Sequence, residues 1–592
     1  MSLGDWLNER TGHRALVRDA LDEPVAGGAR WAYVWGSALT LSLVIQVVTG
    51  WLLMSAYSPS ATNAWASVHH ITYTMRAGWL IRGVHHFGAQ AMVVLLALHL
   101  GQTALYGAYR KPREMNWFFG LGLAGVTLGF ALTGYLLPWD QKGYWATRVA
   151  TNIAGTIPGI GAFAQDLMVG GSEYGHMTLT RFYTLHVGVL PALTVALLAA
   201  RALFRKHGIT PPSSADTTKV DLFYPRQVGK DLAVALVVMV VVFGLALREH
   251  GAPLDAPADA ASDYPARPEW YFLALFELLK FKYFHGALEP VGAVGVPTVV
   301  IGYLLLLPFI DRSATPRADG KPRSTFGGRL LFLLPLLLVF LGAGGLTLKS
   351  LRADAGDKEF QDSRKVASER ANRAIALAKA GIPPEGPLAM LRSDPETRGA
   401  ELFEKSCATC HRLGKIGPPE GKDTAPDLTG WRTKKWVTAV LHDPDAPNLF
   451  GKTPFKEQMP SFVKPPADAE AAKMFTALKP EEIDEIGTFL VAQANGEKGE
   501  GSPGEKLVKQ RCTSCHRLDG KTDDEESLAP ELRGWGSVAW TDAQIADPGS
   551  GKTYPKGAMD PKLEGHMPAF GEKLSEKDRK ILSQWVWNKA GE

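Results

Sequence analysis

The chain has 592 residues, 64 Lys and Arg against 60 Asp and Glu, a formal net charge of +4 and a mean hydropathy of −0.04. That length exceeds what one hydrophobic core supports, so several domains are expected. No segment combines basic residues with aromatics in the manner of a nucleic-acid-binding surface, and the small net charge points to no partner.

The average hydropathy hides an uneven distribution. Residues 1–350 hold long apolar runs, whereas residues 351–592 are rich in Lys, Glu, Asp and Pro. The first residues read as a polar interfacial helix carrying Trp6, Leu7, Leu16 and Val17, not as a cleavable signal. Seven spans follow, near 33–54, 80–106, 117–137, 181–204, 231–248, 291–310 and 329–348, each close to the roughly 20 residues a bilayer requires. Basic residues set their orientation. Arg110, Lys111 and Arg113 lie between spans two and three, and Arg205, Lys206, Lys219, Arg226 and Lys230 between four and five. Arg312, Arg317, Lys321, Arg323 and Arg329 lie between six and seven. All share one side, which is therefore cytoplasmic; seven spans then place the C-terminal part in the periplasm of a bacterial inner membrane.

Residues 351–398 form a linker, with a charged, Ala-rich helix over 357–381 that stops at Gly381-Ile382-Pro383-Pro384. Beyond it lies an internal repeat. Cys407-Ala-Thr-Cys410-His411 returns as Cys512-Thr-Ser-Cys515-His516, 105 residues later. Ala425-Pro-Asp-Leu-Thr-Gly-Trp431 returns as Ala529-Pro-Glu-Leu-Arg-Gly-Trp535, and Met459-Pro460 as Met567-Pro568. Two copies indicate duplicated small domains, over 399–495 and 500–592.

Two thiols one helical turn apart bond the two vinyl groups of a haem, and the adjacent His supplies an axial ligand. The four cysteines therefore predict two covalent haem c groups with iron ligands His411 and His516. Met459 and Met567 are the expected sixth ligands, with Met474 and Met559 as weaker alternatives. A zinc site would require more thiols or a second His pair.

Ionisable residues in membrane helices mark functional sites. His85 and His99 are 14 residues apart on the second span, about 21 Å along the axis and within roughly 40° of the same face. Gly36 and Gly50 on the first span, and Gly120 and Gly134 on the third, repeat the same step. A missing side chain lets a flat porphyrin approach the backbone, although small residues also serve helix packing. The common step points to two stacked haems.

Gly78-Trp-Leu-Ile-Arg82-Gly-Val-His85-His86, Gly134-Tyr-Leu-Leu-Pro-Trp-Asp-Gln-Lys-Gly-Tyr-Trp145 and Leu179-Thr-Arg-Phe-Tyr-Thr-Leu-His186 resemble the N-terminal half of cytochrome b from cytochrome bc and b–f complexes. Residues 225–350 resemble its short three-helix C-terminal part. The resemblance implies that His85 and His186 ligate the periplasmic-side haem b, that Arg82 packs with the haem, and that the complex is a homodimer embedded in membrane lipid. One departure stands out. The family places a second His on the fourth span 14 or 15 residues after the first, where this chain has Ala200 and Arg201. His99 thus lacks an evident partner, since His207 lies about 10 Å too far along the axis. A second haem b through His99 alone, through an unusual partner, or none at all remain the alternatives. The family's variant with an extra covalent haem has a Cys where this chain has Val34, so no such haem is expected.

Pro268-Glu269-Trp270-Tyr271 follows the fifth span and matches the family's quinol-oxidation motif. Quinol oxidation releases protons, so a carboxylate acceptor such as Glu269 is needed. Tyr271 resembles the pocket-lining residue, Pro268 and Trp270 are expected to shape the loop, and Lys142-Gly143-Tyr144-Trp145 to form the facing wall. Lys219, Asp221 and His207 are the polar candidates for a quinone-reduction pocket on the opposite side.

The expected fold is all-α: a seven-helix bundle with an N-terminal haem-binding part over 1–210 and a C-terminal part over 211–350, then the linker and two small helical cytochrome c domains. The expected function is the membrane subunit of a quinol:cytochrome c oxidoreductase. With no spare Cys for an iron–sulfur cluster, it depends on a separate Rieske protein and passes electrons to a soluble cytochrome c or terminal oxidase. The rival readings are a reduced paralogue without a full Q-cycle, or a membrane anchor for a dihaem electron carrier.

Overall fold

The computed structural model describes the chain except residues 1, 205, 213, 214, 217, 312–325, 420, 522–525, 527 and 592. Of the orientation signals, Arg205, Arg312, Arg317, Lys321 and Arg323 lie outside the described residues. The chain forms two compact units, Met1–Leu388 and Ala389–Glu592.

The first unit holds seven helices long and apolar enough to cross a membrane: Trp31–Met54, Gly78–Tyr106, Glu114–Tyr135, His176–Phe204, Phe223–Arg248, Val291–Ile310 and Leu330–Gly356. Their outward faces carry large exposed apolar side chains such as Val44, Val47, Leu236, Val237 and Val240. Water would penalise such a continuous apolar surface, whereas hydrocarbon accepts it. The first, second and fifth spans pack together, as do the third and fourth.

Local sequence sets the breaks. The second span begins after Ala77 and ends at Gly107, both left-handed. Pro191, with no N–H to donate, follows a wide five-residue turn at Leu185–Val189 that carries His186. On the basic-loop side, Pro24–Ala26 pairs antiparallel with Val220–Leu222. There Asp311 accepts hydrogen bonds from Tyr109 at 2.7 Å and from Arg110 at 2.7 Å, tying the sixth span to the second. The N-terminal segment is two short helices, Leu3–Thr11 and His13–Leu21, broken at left-handed Gly12. The linker helix runs Lys358–Ala378.

In the second unit the copies of the repeat exchange helices. The helix leading into the first Cys pair, Pro395–Ser406, packs against Glu576–Ala590 from the end of the second copy. Reciprocally, Pro503–Arg511 packs against Pro480–Ala494. Glycines make both crossings close. A Cβ on Gly399 would fall on Trp585, and one on Gly504 would fall on Glu485 and Phe489. The matched helices are capped alike, by Asp394 and Ser502 ahead of Pro395 and Pro503, and by Thr433 and Ser537 on the next pair. Such caps contribute about 1 kcal/mol each. One apolar core serves both copies, from Leu402 and Phe403 to Leu582 and Trp585. Trp431 meets its own repeat counterpart, Trp535, edge-on at 5.5 Å. Two further contacts, Trp431 to Trp540 at 5.9 Å and Trp436 to Trp535 at 5.8 Å, are related by the repeat.

Candidate functional site

His85 and His186 face each other between the second and fourth spans, their ring centroids 6.5 Å apart. A metal bonded at about 2 Å to a nitrogen of each ring would hold the centroids roughly 6 Å apart, so the separation suits one iron. Hydrogen bonds set the tautomers. The Thr49 hydroxyl donates to the Ile45 carbonyl at 2.7 Å, so its lone pair accepts the His85 Nδ1–H at 2.9 Å. The Thr133 hydroxyl donates to Gly129 at 2.8 Å and accepts from His186 Nδ1 at 3.0 Å. Each ring is left with an unprotonated Nε2, the form that binds iron.

Glycines give these rings their space. A Cβ at Gly50 would lie 3.1 Å from His85 Cε1, and one at Gly134 only 2.7 Å from His186 Cε1. The residues therefore fit a haem b: two facing imidazoles, fixed tautomers and a backbone cradle. Neither threonine was expected from the sequence. The signal was present all the same, since each immediately precedes a haem glycine.

The other end of these helices is built differently. His99 stands over Gly36 as His85 stands over Gly50, with a Gly36 Cβ 3.2 Å from His99 Cε1. Trp35 occupies the place equivalent to Thr49, and His99 Nδ1 is buried without a hydrogen-bond partner among the described residues. A Cβ at Gly120 would meet nothing within 4 Å. Among the described residues no imidazole is paired with His99 as His186 is with His85. The His207 side chain is exposed, and its carbonyl accepts from Arg113 at 2.7 Å.

Glu269 is buried. One carboxylate oxygen accepts from Lys142 Nζ at 2.5 Å and the other from Gln90 Nε2 at 3.4 Å. Gln90 also accepts from the Trp270 indole N–H at 2.5 Å. It lies five residues from His85 on the same span, so the carboxylate and the facing imidazoles share one end of the bundle. Tyr271 packs edge-on against Trp270 and Phe272. Burial, and then the Glu269 charge, push its phenol above the ordinary range, which keeps it a proton-bearing donor. Gln90 is not expected from the sequence motifs; its signal there is a lone amide inside an apolar span.

The facing wall is held rigidly. Buried Asp140 accepts from Gly143 N–H at 2.9 Å and from Asp255 N–H at 3.1 Å. Burial, assisted by the nearby Asp255 carboxylate, raises Asp140 to about 6. Gly143 is close-packed, since a Cβ there would lie 3.0 Å from Leu136, and Tyr144 is buried against Trp139. Arg82 donates to Thr72 and to the carbonyls of Ala252 and Pro253 at 2.7 and 2.6 Å. It thereby anchors the loop leading to Pro268.

Lys219, Asp221 and His207 are not brought together by a shared contact. Asp221 accepts from Ala29 N–H at 2.8 Å and from Arg226 at 2.6 Å. It acts as a latch between the first and fifth spans.

In the second unit His411 and His516 follow their cysteines within one turn, with His411 N–H donating to Cys407 O at 2.9 Å and His516 N–H to Cys512 O at 2.7 Å. His411 Nδ1–H donates to Pro426 O at 2.9 Å and His516 Nδ1–H to Pro530 O at 3.0 Å. This is the role of the repeated Ala-Pro motif: each carbonyl fixes a ring and leaves Nε2 for iron. Burial lowers both histidines, which favours the neutral ligand form. Cys407, Cys410, Cys512 and Cys515 form no disulfide. Met459 and Met567 pack against the shared core. Met474 is 82% exposed, whereas Met559 is buried beside Met567, their sulfurs 3.3 and 3.7 Å from Gln544 Nε2. This donor set fits two covalent haems.

Four family models match the chain in order. Cytochrome b/b6/petB covers residues 20–208, and cytochrome b(C-terminal)/b6/petD covers 258–351. Cytochrome c covers 396–493, and cytochrome C oxidase, cbb3-type, subunit III covers 499–586. The cytochrome bc complex cytochrome b subunit of Chlorobaculum thiosulfatiphilum is 37% identical over 52% of this chain and 72% of its own length. Cytochrome b6 of Chlamydomonas reinhardtii is 40% identical over 35% of this chain and 97% of its own. Among solved structures, a chain of a hyperthermophilic respiratory Complex III superposes with a TM-score of 0.51 at 27% identity, over 61% of this chain and 93% of that one. Facing imidazoles over glycine cradles, duplicated Cys-x-x-Cys-His sites and these matches agree: the chain belongs to the cytochrome b family of cytochrome bc-type complexes, joined at its C-terminal side to cytochrome c domains.

Proposed function

We propose that this chain is the membrane electron-transfer subunit of a quinol:cytochrome c oxidoreductase. The carrying observation is the buried Glu269, linked to Lys142 and through Gln90 to the span that bears His85. Quinol docks between the Pro268–Tyr271 loop and the wall of Gly143 and Tyr144. Tyr271 donates a hydrogen bond to it, and Glu269 exchanges Lys142 for the quinol hydroxyl and takes its proton. Arg82 and Asp140 hold both walls in place, so the acceptor does not depend on a loose loop.

His85 and His186 hold a haem b, and His411 with Met459 and His516 with Met567 hold the two c-type haems. When bound, these groups supply one-electron redox chemistry near the quinol pocket and in the second unit. The other electron of the quinol leaves through a separate Rieske iron–sulfur protein. The c domains face the periplasm and serve a soluble cytochrome c or an oxidase.

A second reading is favoured by the His99 end. Among the described residues it lacks an opposing imidazole, and Lys219, Asp221 and His207 share no contact. Quinol oxidation would then proceed without quinone reduction on the opposite side.

Inhibitor-sensitive reduction of added ferricytochrome c by decylubiquinol or a menaquinol analogue tests the proposal in membranes holding the whole complex. Glu269→Gln is expected to lower the rate on the order of 100-fold, the scale of a lost proton acceptor. An unchanged rate in that variant, with haem content intact, would overturn it.

A further inference from the structure

Four glycines and three histidines lie in two matched sets on the first four spans. Gly50 meets His85, Gly134 meets His186 and Gly36 meets His99, whereas a Cβ on Gly120 meets nothing within 4 Å among the described residues. The His99 ring sits over its glycine in the same pose as His85, with Cε1 nearest at 3.2 and 3.1 Å respectively. Its Nδ1 is buried and unpartnered among the described residues. A buried imidazole beside open space is unfavourable unless it binds something there. The cradle at Gly36, the clearance at Gly120 and the presented imidazole fit a haem on the His99 side alone.

Among the described residues the opposite face offers no iron ligand. Ala200 has no donor atom. Arg201 and Gln102 are the side chains that act on the His99 ring. A guanidinium offers donors and no acceptor lone pair, so Arg201 supplies no iron ligand. Gln102 lies on the same span as His99, one turn on, and so on the same side of a porphyrin. His207 is exposed beyond the end of the span. We infer that His99 binds a second haem b as its only axial ligand, leaving a five-coordinate iron open to a small exogenous ligand on the face opposite His99. The inference rests on the cytochrome b reading above. It separates the cofactor, which is kept, from the six-coordinate state, which is lost.

The test uses the purified full-length protein with its haems in place. Three readouts are combined: the haem b to haem c ratio by pyridine haemochrome, the ferric spin state by electron paramagnetic resonance, and the spectrum of the dithionite-reduced protein with carbon monoxide. The expected result is two b per two c, one b high-spin and one low-spin, with half of the b-type haem shifted by carbon monoxide. His99→Ala should remove the high-spin, carbon monoxide-reactive half and leave the low-spin b haem. Arg201→His should convert that half to low-spin and abolish its carbon monoxide shift. One low-spin b per two c, with no high-spin b, would overturn the inference. So would two b haems that are both low-spin and unreactive. Absence of all haem b would instead overturn the haem reading of His85 and His186, which keeps the two failures distinct.

Discussion

The two ends of the four-helix bundle start from one plan and finish differently. At one end both glycines face a histidine, and each histidine is fixed by the threonine that precedes a glycine. At the other, one glycine faces a histidine and the next faces open space. Trp35 and Phe119 stand where Thr49 and Thr133 stand above. The first step of the plan, a glycine that clears room for a ring, survives without the second, a fixed tautomer, and the third, an opposing ligand. On the proposed reading, a haem cradle and a six-coordinate haem are separable features of this fold. The end that keeps all three is the end that carries Glu269.

The comparison breaks most visibly at His186. His186→Ala is expected to remove the low-spin haem b and lower quinol oxidation more than about 100-fold, since even groups hydrogen-bonded to a ligand are worth about 10- to 100-fold. Haem spectra and the cytochrome c reduction rate check it; a retained low-spin b signal would contradict it. The next effect is a contrast between glycines. Gly134→Val drives a Cβ to within 2.7 Å of the His186 ring. It should cost about 1–3 kcal/mol, the usual price of overpacking, and displace the low-spin b haem. A Cβ at Gly120 has nothing within 4 Å among the described residues outside its own helix turn, so in Gly120→Val thermal stability should hold and only the high-spin b haem should be lost. Equal loss of stability in both variants would show that Gly120 is a packing residue.

The smallest effect is at Thr49. Thr49→Val removes the acceptor of the His85 Nδ1–H. The ligand becomes less basic, ferric iron is less well stabilised, and the midpoint potential of the low-spin b haem should rise. A hydrogen bond worth about 1 kcal/mol corresponds to roughly 40 mV for one electron. Redox titration of the b-band absorbance measures the shift, and a lowered potential would reverse the assigned donor and acceptor roles.

Much of this was legible in the sequence because membranes and covalent haems impose strict spacing. All seven spans were expected, and the sixth has the limits read from hydropathy alone. Others run longer: the seventh continues to Gly356 rather than stopping near 348, because a helix ends at a breaker and not where polarity begins. The Cys pairs, His85 and His186 were named from motif and resemblance, and the missing partner of His99 from its spacing. What escaped was set by tertiary contact. Gln90 gains its place only when the loop bearing Glu269 folds back on the second span. The carbonyls of Pro426 and Pro530 acquire a role only when a histidine ring turns toward them. The exchange of helices between the repeat copies left no local signal, because each helix has the same apolar face whichever copy it meets.

The most direct measurement mixes the oxidised complex with quinol and follows haem b and haem c reduction in one turnover. The low-spin b haem of His85 and His186 is expected to be reduced together with the c-type haems, and Glu269→Gln to slow both in parallel. Reduction of the c-type haems at the normal rate, with the b haem left oxidised, would contradict it.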